Sequence, residues 1–195
     1  KNLKQIKFEE LVSGAKNIIG LNPALEIEEA FVKGNFNYCI NCAAYTNVEQ
    51  AEKTPDIAYK VNAEGVKNLA NVCKRYNTTL IHISTDYVFD GTGETPWHPR
   101  HHTAPKNAYG RSKLSGESGI RNSSAIYAIL RTSWVFSPHG VNFVKRMLQL
   151  SKTNFTLNIV ADQIGGPTPA KNIATACLNI AKQLIKNPSK AGTYH

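Results

Sequence analysis

The sequence predicts an α/β fold in which helices cover both faces of a doubly wound parallel sheet. Short apolar runs, typical of buried strands, alternate along the chain with stretches of helical period. The runs are rich in Ile, Val, Leu and Tyr, as strands that are covered on both faces tend to be. With 195 residues, 42% of them hydrophobic, the chain is long enough to bury such a core.

Each element follows from its local pattern. Four apolar runs are predicted as strands, at residues 38–43, 79–84, 126–132 and 157–160. Apolar residues at helical spacing predict helices over 55–76, 108–120, 142–150 and 170–184. Thr54 before Pro55 is expected to cap the first of these helices, and the run 165–169 is expected to form a loop. The weaker pattern at the start predicts a helix near 8–11, a short strand near Ile18 and a helix near 27–33.

The charge of the chain favours a small anionic partner. It carries 23 basic and 14 acidic side chains, which give a formal net charge of +9. The basic residues are spread along the chain and form no run interleaved with aromatics, so no nucleic-acid partner is expected. An anionic small molecule is favoured instead.

Neither a membrane nor an oxidising compartment is expected. No apolar stretch approaches the roughly 18 to 20 residues of a bilayer span, and no basic and then apolar leader opens the chain. The scattered cysteines form no disulfide framework; they are Cys39, Cys42, Cys73 and Cys177. A cytoplasmic location is therefore expected.

Two groups of metal-ligating residue types are interpreted as structural. Cys39 and Cys42 stand three apart on a predicted strand and so point to opposite faces of the sheet. His98, His101 and His102 lie in a Pro-flanked loop without Cys, Asp or Glu nearby, which favours a solvated loop over metal capture. No metal site is expected. A Gly-x-Ser-x-Gly elbow, a P-loop and a complete glycine-rich dinucleotide turn are all missing from the sequence.

One constellation indicates catalysis. Tyr109 and Lys113 are four apart on a predicted helix, which places them on one face. Thr85 ends a predicted strand at the carboxyl edge of the sheet, where open α/β folds bind ligands. A phenol has a pKa of about 10, and we expect the ammonium of Lys113 to lower the pKa of Tyr109. Tyr109 could then give a proton to a carbonyl oxygen that Thr85 aligns.

Three segments around these residues carry a family resemblance. They are residues 84–91 (STDYVFDG), 103–117 (TAPKNAYGRSKLSGE) and 131–136 (RTSWVF). Together they closely resemble the dTDP-4-dehydrorhamnose reductases, which are extended members of the short-chain dehydrogenase/reductase superfamily. Residues 41–52 (NCAAYTNVEQAE) and 162–168 (DQIGGPT) are also similar to that family. The resemblance is colinear from about residue 20 to the end of the chain.

The resemblance implies a fold and an activity. The fold would be Rossmann-like, with a dinucleotide-binding domain over 1–140 and, over 141–195, the last sheet elements and the start of a smaller substrate lobe. The activity would be reduction of the 4-keto group of a dTDP-4-keto-6-deoxy sugar, dTDP-4-dehydro-L-rhamnose, to give dTDP-L-rhamnose. The hydride would come from NADPH or NADH. The resemblance is also compatible with assembly as a homodimer.

The resemblance also implies roles for single residues. The positions that match the family's catalytic residues are Thr85, Tyr109 and Lys113. The cofactor would be bound by Tyr109 and Lys113, the latter on the nicotinamide ribose, and by the backbone of Cys42, Ala43, Ala44 and Tyr45. The substrate would be bound by Thr85, Tyr87, Trp134, Asn142 and Gln163.

Two departures from the family leave other functions open. No segment matches the family's opening glycine turn, which binds the pyrophosphate, and the loop 96–103 carries histidines and Arg100 where relatives commonly have acidic residues. A non-catalytic binding or regulatory subunit on the same scaffold is one alternative. The other is an epimerase or dehydratase that acts on another nucleotide sugar, although Tyr87 after Asp86 departs from the acidic pair usual in dehydratases.

Overall fold

The computed structural model describes residues 23–195, and its main sheet is parallel. The strands are β1 (Tyr38–Asn41), β2 (Thr79–Thr85), β3 (Tyr127–Thr132), β4 (Val135–Phe136), β5 (Thr168–Pro169) and β6 (Gly192–Tyr194). Four of them form one sheet in the order β1-β2-β3-β6, and β4 pairs with β5 in a separate two-stranded ladder. Every pairing is parallel. The carboxyl ends of β1, β2 and β3 therefore lie at one edge.

Helices connect these strands. They are α1 (Pro23–Gly34), α2 (Val48–Lys53), α3 (Pro55–Tyr59), α4 (Gly65–Arg75), α5 (Ala108–Asn122), α6 (Phe143–Leu150) and α7 (Ala170–Lys186). A wide π-helical turn, Lys60–Glu64, joins α3 to α4, and a 3-10 turn, Asp86–Val88, follows β2. Within residues 23–195 no helix has both the length and the apolar character that crossing a bilayer requires.

The two faces of the sheet bury separate apolar clusters, as the strand period dictates. On one face Leu80 and Ile129 pack with residues of α1, α4 and α5. On the other face the neighbouring residues Ile81 and Ala128 pack with residues of α7. Successive strand residues thus serve opposite faces, which confirms the predicted doubly wound α/β architecture.

Most predicted elements are confirmed with shifted ends, and one strand is wrong. The runs at 38–43 and 126–132 contain β1 and β3, the run 79–84 covers all but the last residue of β2, and the helix predicted near 27–33 lies within α1. The run 157–160 is not a strand, and Ile159 and Val160 are exposed. The second edge of β3 is paired with β6 instead. The helix near 8–11 and the strand near Ile18 lie outside the described residues.

The region before α4 also differs from its prediction. Residues 55–76 form α3, the π turn and α4 in place of one regular helix. Thr54 stands at the start of α3, but its hydroxyl does not cap that helix. It donates instead to the carbonyl of Gln50 at 2.9 Å. The hydroxyl thereby caps the end of α2, which sequence periodicity did not predict.

Candidate active site

Thr85 lies at the carboxyl end of β2, where the strand turns into the 3-10 turn Asp86–Val88. Its Oγ1 accepts a hydrogen bond from the backbone N–H of Tyr87 at 3.2 Å and donates to Oδ1 of Asp86 at 3.1 Å. These bonds fix the rotamer of a buried hydroxyl at the edge of the sheet. The predicted position of Thr85 is confirmed.

Tyr109 lies in the first turn of α5 and faces this hydroxyl. The helix starts at Asn107, whose side chain accepts the N–H of Gly110 at 2.7 Å. The ring of Tyr109 meets the ring of Tyr87 edge to face, with centroids 5.7 Å apart. Burial raises the pKa of Tyr109, the Thr85 side chain lowers it, and the negative charge of Asp86 raises it further. The phenol is therefore protonated at neutral pH.

Lys113 lies one helical turn further along α5, and its amine contacts β2. Nζ donates to the carbonyl of Ile83 at 2.7 Å and lies 3.3 Å from Nε2 of His82. The side chain is only 1% exposed, and this burial lowers the pKa of Lys113 to about 8. Glu117 and Cys42 act in the opposite direction.

The expected effect of Lys113 on Tyr109 is wrong for this arrangement. The pKa of Tyr109 is raised, and Lys113 is not among the groups that shift it. The physical reason is the direction of the amine, which hydrogen-bonds inside β2 while the phenol lies beside Thr85. Helical spacing placed both residues on one face but could not predict the partner of the amine.

The segment Cys42 to Tyr45 leaves the end of β1 and is held to α5 by Asn62. The buried Asn62 side chain accepts the N–H of Tyr45 at 2.8 Å and donates to its carbonyl at 3.0 Å. It also donates to Oγ of Ser112 at 2.9 Å, and that hydroxyl donates to the carbonyl of Tyr109. One side chain thus connects the predicted cofactor segment to the predicted proton donor. Sequence reasoning missed Asn62, although a polar residue inside an apolar helical run was a signal.

Two glycines let the backbone of α5 approach the backbones of neighbouring segments closely. A Cβ on Gly116 would collide with the carbonyl oxygen of Asn62, and one on Gly110 would collide with the carbonyl of Tyr87. Both glycines are helical, where glycine costs stability relative to alanine. We infer that they are needed for contact between backbones.

A buried ion pair between Glu117 and Arg131 holds α5 against the sheet. Glu117 is fully buried, and its carboxylate accepts from Nε and Nη2 of Arg131 at 2.9 and 2.7 Å. Arg121 donates to the same carboxylate at 2.7 Å and Ser84 at 2.6 Å. Burial alone would raise the pKa of Glu117, but the bonds from Arg131 and Ser84 outweigh it and hold the pKa below its usual value. The pair joins α5, β2 and β3.

The residues expected to bind substrate do not all lie together. Tyr87 lies beside Thr85 and Tyr109. The other three belong to the segment after β3. Trp134 is 47% exposed with a φ of +43°, Gln163 is exposed, and Asn142 caps α6 by accepting the N–H of Lys145 at 3.1 Å.

The cysteines and histidines that could have bound a metal are dispersed. Cys39 packs at the rim of the core, whereas Cys42 is exposed just beyond the end of β1. His98 and His101 are exposed, and each ring accepts a backbone N–H of their own loop. Across residues 23–195 no three or more His, Cys, Asp and Glu side chains are grouped to hold a metal ion.

The parallel sheet, its two helical layers and the polar groups at its carboxyl edge define the Rossmann-like α/β class. Solved structures of the same class are similar over most of the described chain. A dTDP-4-dehydrorhamnose reductase from Clostridium acetobutylicum shares 39% identity and a TM-score of 0.81, over 88% of this chain and 59% of that one. One from Bacillus anthracis, solved in complex with NADP, shares 39% identity and a TM-score of 0.81, over 92% of this chain and 63% of that one.

The chain belongs to the RmlD substrate binding domain family, whose model matches residues 3–195. A dTDP-4-dehydrorhamnose reductase from Sinorhizobium fredii is 45% identical over 158 residues, which cover 80% of this chain and 53% of that protein. The resemblance predicted from the sequence motifs is thereby confirmed. The chain spans about half the length of the curated relatives it matches.

Proposed function

We propose that the protein is an NAD(P)H-dependent reductase that converts dTDP-4-dehydro-L-rhamnose into dTDP-L-rhamnose. The observation that carries this proposal is the placement of Thr85 and Tyr109 together at the carboxyl edge of the sheet, with Lys113 one turn along α5. The family membership supports the same chemistry, since the named relatives are dTDP-4-dehydrorhamnose reductases.

The groups at this edge suit a nicotinamide cofactor, which supplies hydride when it is bound. The amine of Lys113 and the phenol of Tyr109 are donors of the kind that ribose hydroxyls accept. The backbone from Cys42 to Tyr45 is held in one conformation by Asn62, so a ligand that lies along it meets a rigid surface. Rigid supports of this type reduce the entropy that binding costs.

Thr85 and Tyr109 divide the work on the sugar carbonyl. The proton needed at the carbonyl oxygen comes from the phenol of Tyr109, which the raised pKa keeps protonated. The hydroxyl of Thr85 keeps the N–H of Tyr87 as its donor and, when substrate binds, turns its one proton from Asp86 to the same oxygen, which it thereby orients. Tyr87 and, at the far side, Trp134, Asn142 and Gln163 bind the sugar nucleotide in this proposal.

The test is oxidation of NADPH by the full-length protein in the presence of the dTDP-4-keto sugar. Tyr109→Phe removes only the phenol oxygen, and we expect kcat to fall by about 10² to 10⁴ because the general acid is lost. Tyr127→Phe, on β3, serves as the matched control and should retain activity. Turnover that Tyr109→Phe leaves unchanged would contradict the assignment. Product analysis by NMR separates reduction from epimerisation and dehydration.

Further expectations accompany this function. We propose a cytoplasmic enzyme, a homodimer, and a division near residue 140 between the dinucleotide-binding domain and the start of the substrate lobe. The free thiols agree with a reducing compartment, since Cys39, Cys42, Cys73 and Cys177 are all unpaired. Sedimentation of the full-length protein tests the assembly.

A further inference from the structure

A buried series of hydrogen bonds runs from the loop after β1 to the amine of Lys113. The backbone N–H of Ala43 donates to Oδ1 of Asn41 at 3.0 Å. Nδ2 of Asn41 lies 3.0 Å from Nδ1 of His82, and Nε2 of His82 lies 3.3 Å from Nζ of Lys113. Asn41, His82 and Lys113 are all buried. The polar atoms of these side chains are therefore out of reach of bulk water and must form their hydrogen bonds within the protein.

The direction of each bond follows from what the atoms can do. An amide N–H only donates, so the N–H of Ala43 fixes Oδ1 of Asn41 as its acceptor. Nδ2 of Asn41 is then turned toward His82, and because it donates, Nδ1 of His82 must be the bare ring nitrogen. The proton of the neutral imidazole is consequently on Nε2. His82 thus presents an N–H donor to Lys113.

A charged Lys113 would conflict with this donor. An ammonium has three donors and no lone pair, so it cannot accept from Nε2–H, whereas the uncharged amine can. The amine would still donate to the carbonyl of Ile83. The conflict is relieved at Lys113 and not at Ala43, because a lysine can lose a proton and a peptide N–H cannot.

Burial has already made that proton loss easy. The pKa of Lys113 is lowered to about 8, so at pH 7 the uncharged amine is only about tenfold less populated than the ammonium. The other titratable groups that act on Lys113 are Glu117, one turn along α5, and Cys42, beyond β1, and both favour the ammonium. Burial and the charge of Lys113 hold the pKa of His82 well below its ordinary value, which keeps the imidazole neutral.

We propose that His82 is a positioning residue that donates its Nε2–H to Lys113 and thereby favours the uncharged amine. Its consequence for catalysis rests on the proposed reductase function. An ammonium at Lys113 would hold cofactor hydroxyls in this function, so activity falls where the ammonium is lost. His82, oriented by Asn41, sets the pH at which that happens.

The first test measures protons directly and needs no turnover. Long-range ¹H–¹⁵N spectra of the full-length protein, labelled at histidine, report the tautomer of His82, with its signals assigned through His82→Phe. We expect a bare Nδ1 and a protonated Nε2 from pH 6 to 9. A protonated Nδ1, or titration of His82 near its ordinary pKa, would overturn the proposal.

Asn41→Asp switches the tautomer with little change of shape. A carboxylate accepts from both the N–H of Ala43 and Nδ1 of His82, so the ring proton moves to Nδ1 and a lone pair faces Lys113. The pKa of Lys113, followed by the ¹³Cε shift, should then rise by about one unit. Asn179→Asp adds the same charge at an exposed position of α7 and should shift neither signal.

His82→Phe removes the donor altogether and should also raise the pKa of Lys113. If this variant does not fold, Asn41→Asp alone decides. A Lys113 transition that stays at the wild-type pH in the folded variants would overturn the proposal. In the reductase assay the alkaline limb of kcat/KM should move upward with the Lys113 transition. Absence of NADPH oxidation in the wild type would reject the proposed function, while the NMR outcome still decides the role of His82.

Discussion

The region around β2 and α5 and the segment from Ser133 to Pro169 are built differently. In the first region Ser84, Thr85, Lys113 and Glu117 are buried and hydrogen-bonded to neighbouring elements. The second region has no such interior. None of the residues of α6 is buried, and Val141 and Phe155 are almost fully exposed.

The difference separates two kinds of functional residue. The positions expected to carry the chemistry lie where several elements hold each side chain, which limits their movement. The positions expected to recognise the sugar nucleotide after β3, such as Trp134 and Gln163, lie on the exposed segment. Preorganisation is therefore concentrated at the positions expected to carry the chemistry, and the following predictions test that contrast.

The largest effect is expected at Arg131, in the densely bonded region. Arg131→Met keeps an apolar stem but leaves the buried carboxylate of Glu117 without its main partner. We expect the free energy of unfolding to fall by about 3 to 5 kcal/mol, measured by urea denaturation. Arg146→Met, at an exposed position of α6, is the control and should change it by less than about 0.5 kcal/mol. Equal losses in both variants would contradict the contrast.

The same variant should change the response to acid. The pKa of Glu117 is lowered in the folded protein, so its contribution to stability is complete above its ordinary pKa and is lost as the pH falls through the folded value. Without Arg131 the folded pKa moves upward. The loss begins near the ordinary pKa in both proteins, so on acidification below that value Arg131→Met should lose less further stability than the wild type, measured by urea denaturation across the acidic range.

A smaller effect is expected at Asn62. Asn62→Ala leaves the N–H and carbonyl of Tyr45 without their partner, which should cost about 1 to 3 kcal/mol of stability. Because the segment after β1 also loosens, KM for the cofactor should rise more than kcat falls. The exposed Asn71 on α4 provides the control, since Asn71→Ala should alter neither quantity. A loss confined to kcat would argue against a role in holding the segment.

The smallest effect is expected on α6. Leu148 is 62% exposed, so Leu148→Ser removes little buried apolar surface. The free energy of unfolding should change by less than about 0.5 kcal/mol, whereas Leu80→Ser in the core should be severely destabilising. Thermal unfolding of the two variants side by side provides the measurement. A large loss for Leu148→Ser would show that α6 is covered in solution.

Sequence patterns predicted the sheet well because its strands are covered on both faces. The runs that became β2 and β3 are mostly apolar, and their predicted bounds differ from the observed ones by one residue. The run 157–160 is similarly apolar, but within residues 23–195 it pairs with no strand. Backbone pairing is a long-range property, which the composition of a four-residue window does not contain.

The places of the residues that we propose as catalytic were predictable because spacing and strand ends are local signals. Helical period placed Tyr109 and Lys113 on one face, and the strand end placed Thr85 beside the phenol. The hydrogen bonds of Lys113 to His82 and Ile83 depend on how α5 crosses β2, so the sequence could not predict them. The role of Asn62 was hidden for the same reason.

The wide turn at Lys60–Glu64 makes the spacing of this stretch intolerant of length changes. A π-helical turn holds one residue more than an α-helical turn, so deleting one residue there would draw the stretch into α-helical hydrogen bonding and change the direction of the side chains within the turn. The side-chain amide of Asn62 would then lose its hydrogen bonds to Tyr45 and to Ser112 at the same time. Substitutions of exposed residues in this stretch should leave the fold intact, whereas insertion or deletion of a single residue should disrupt it.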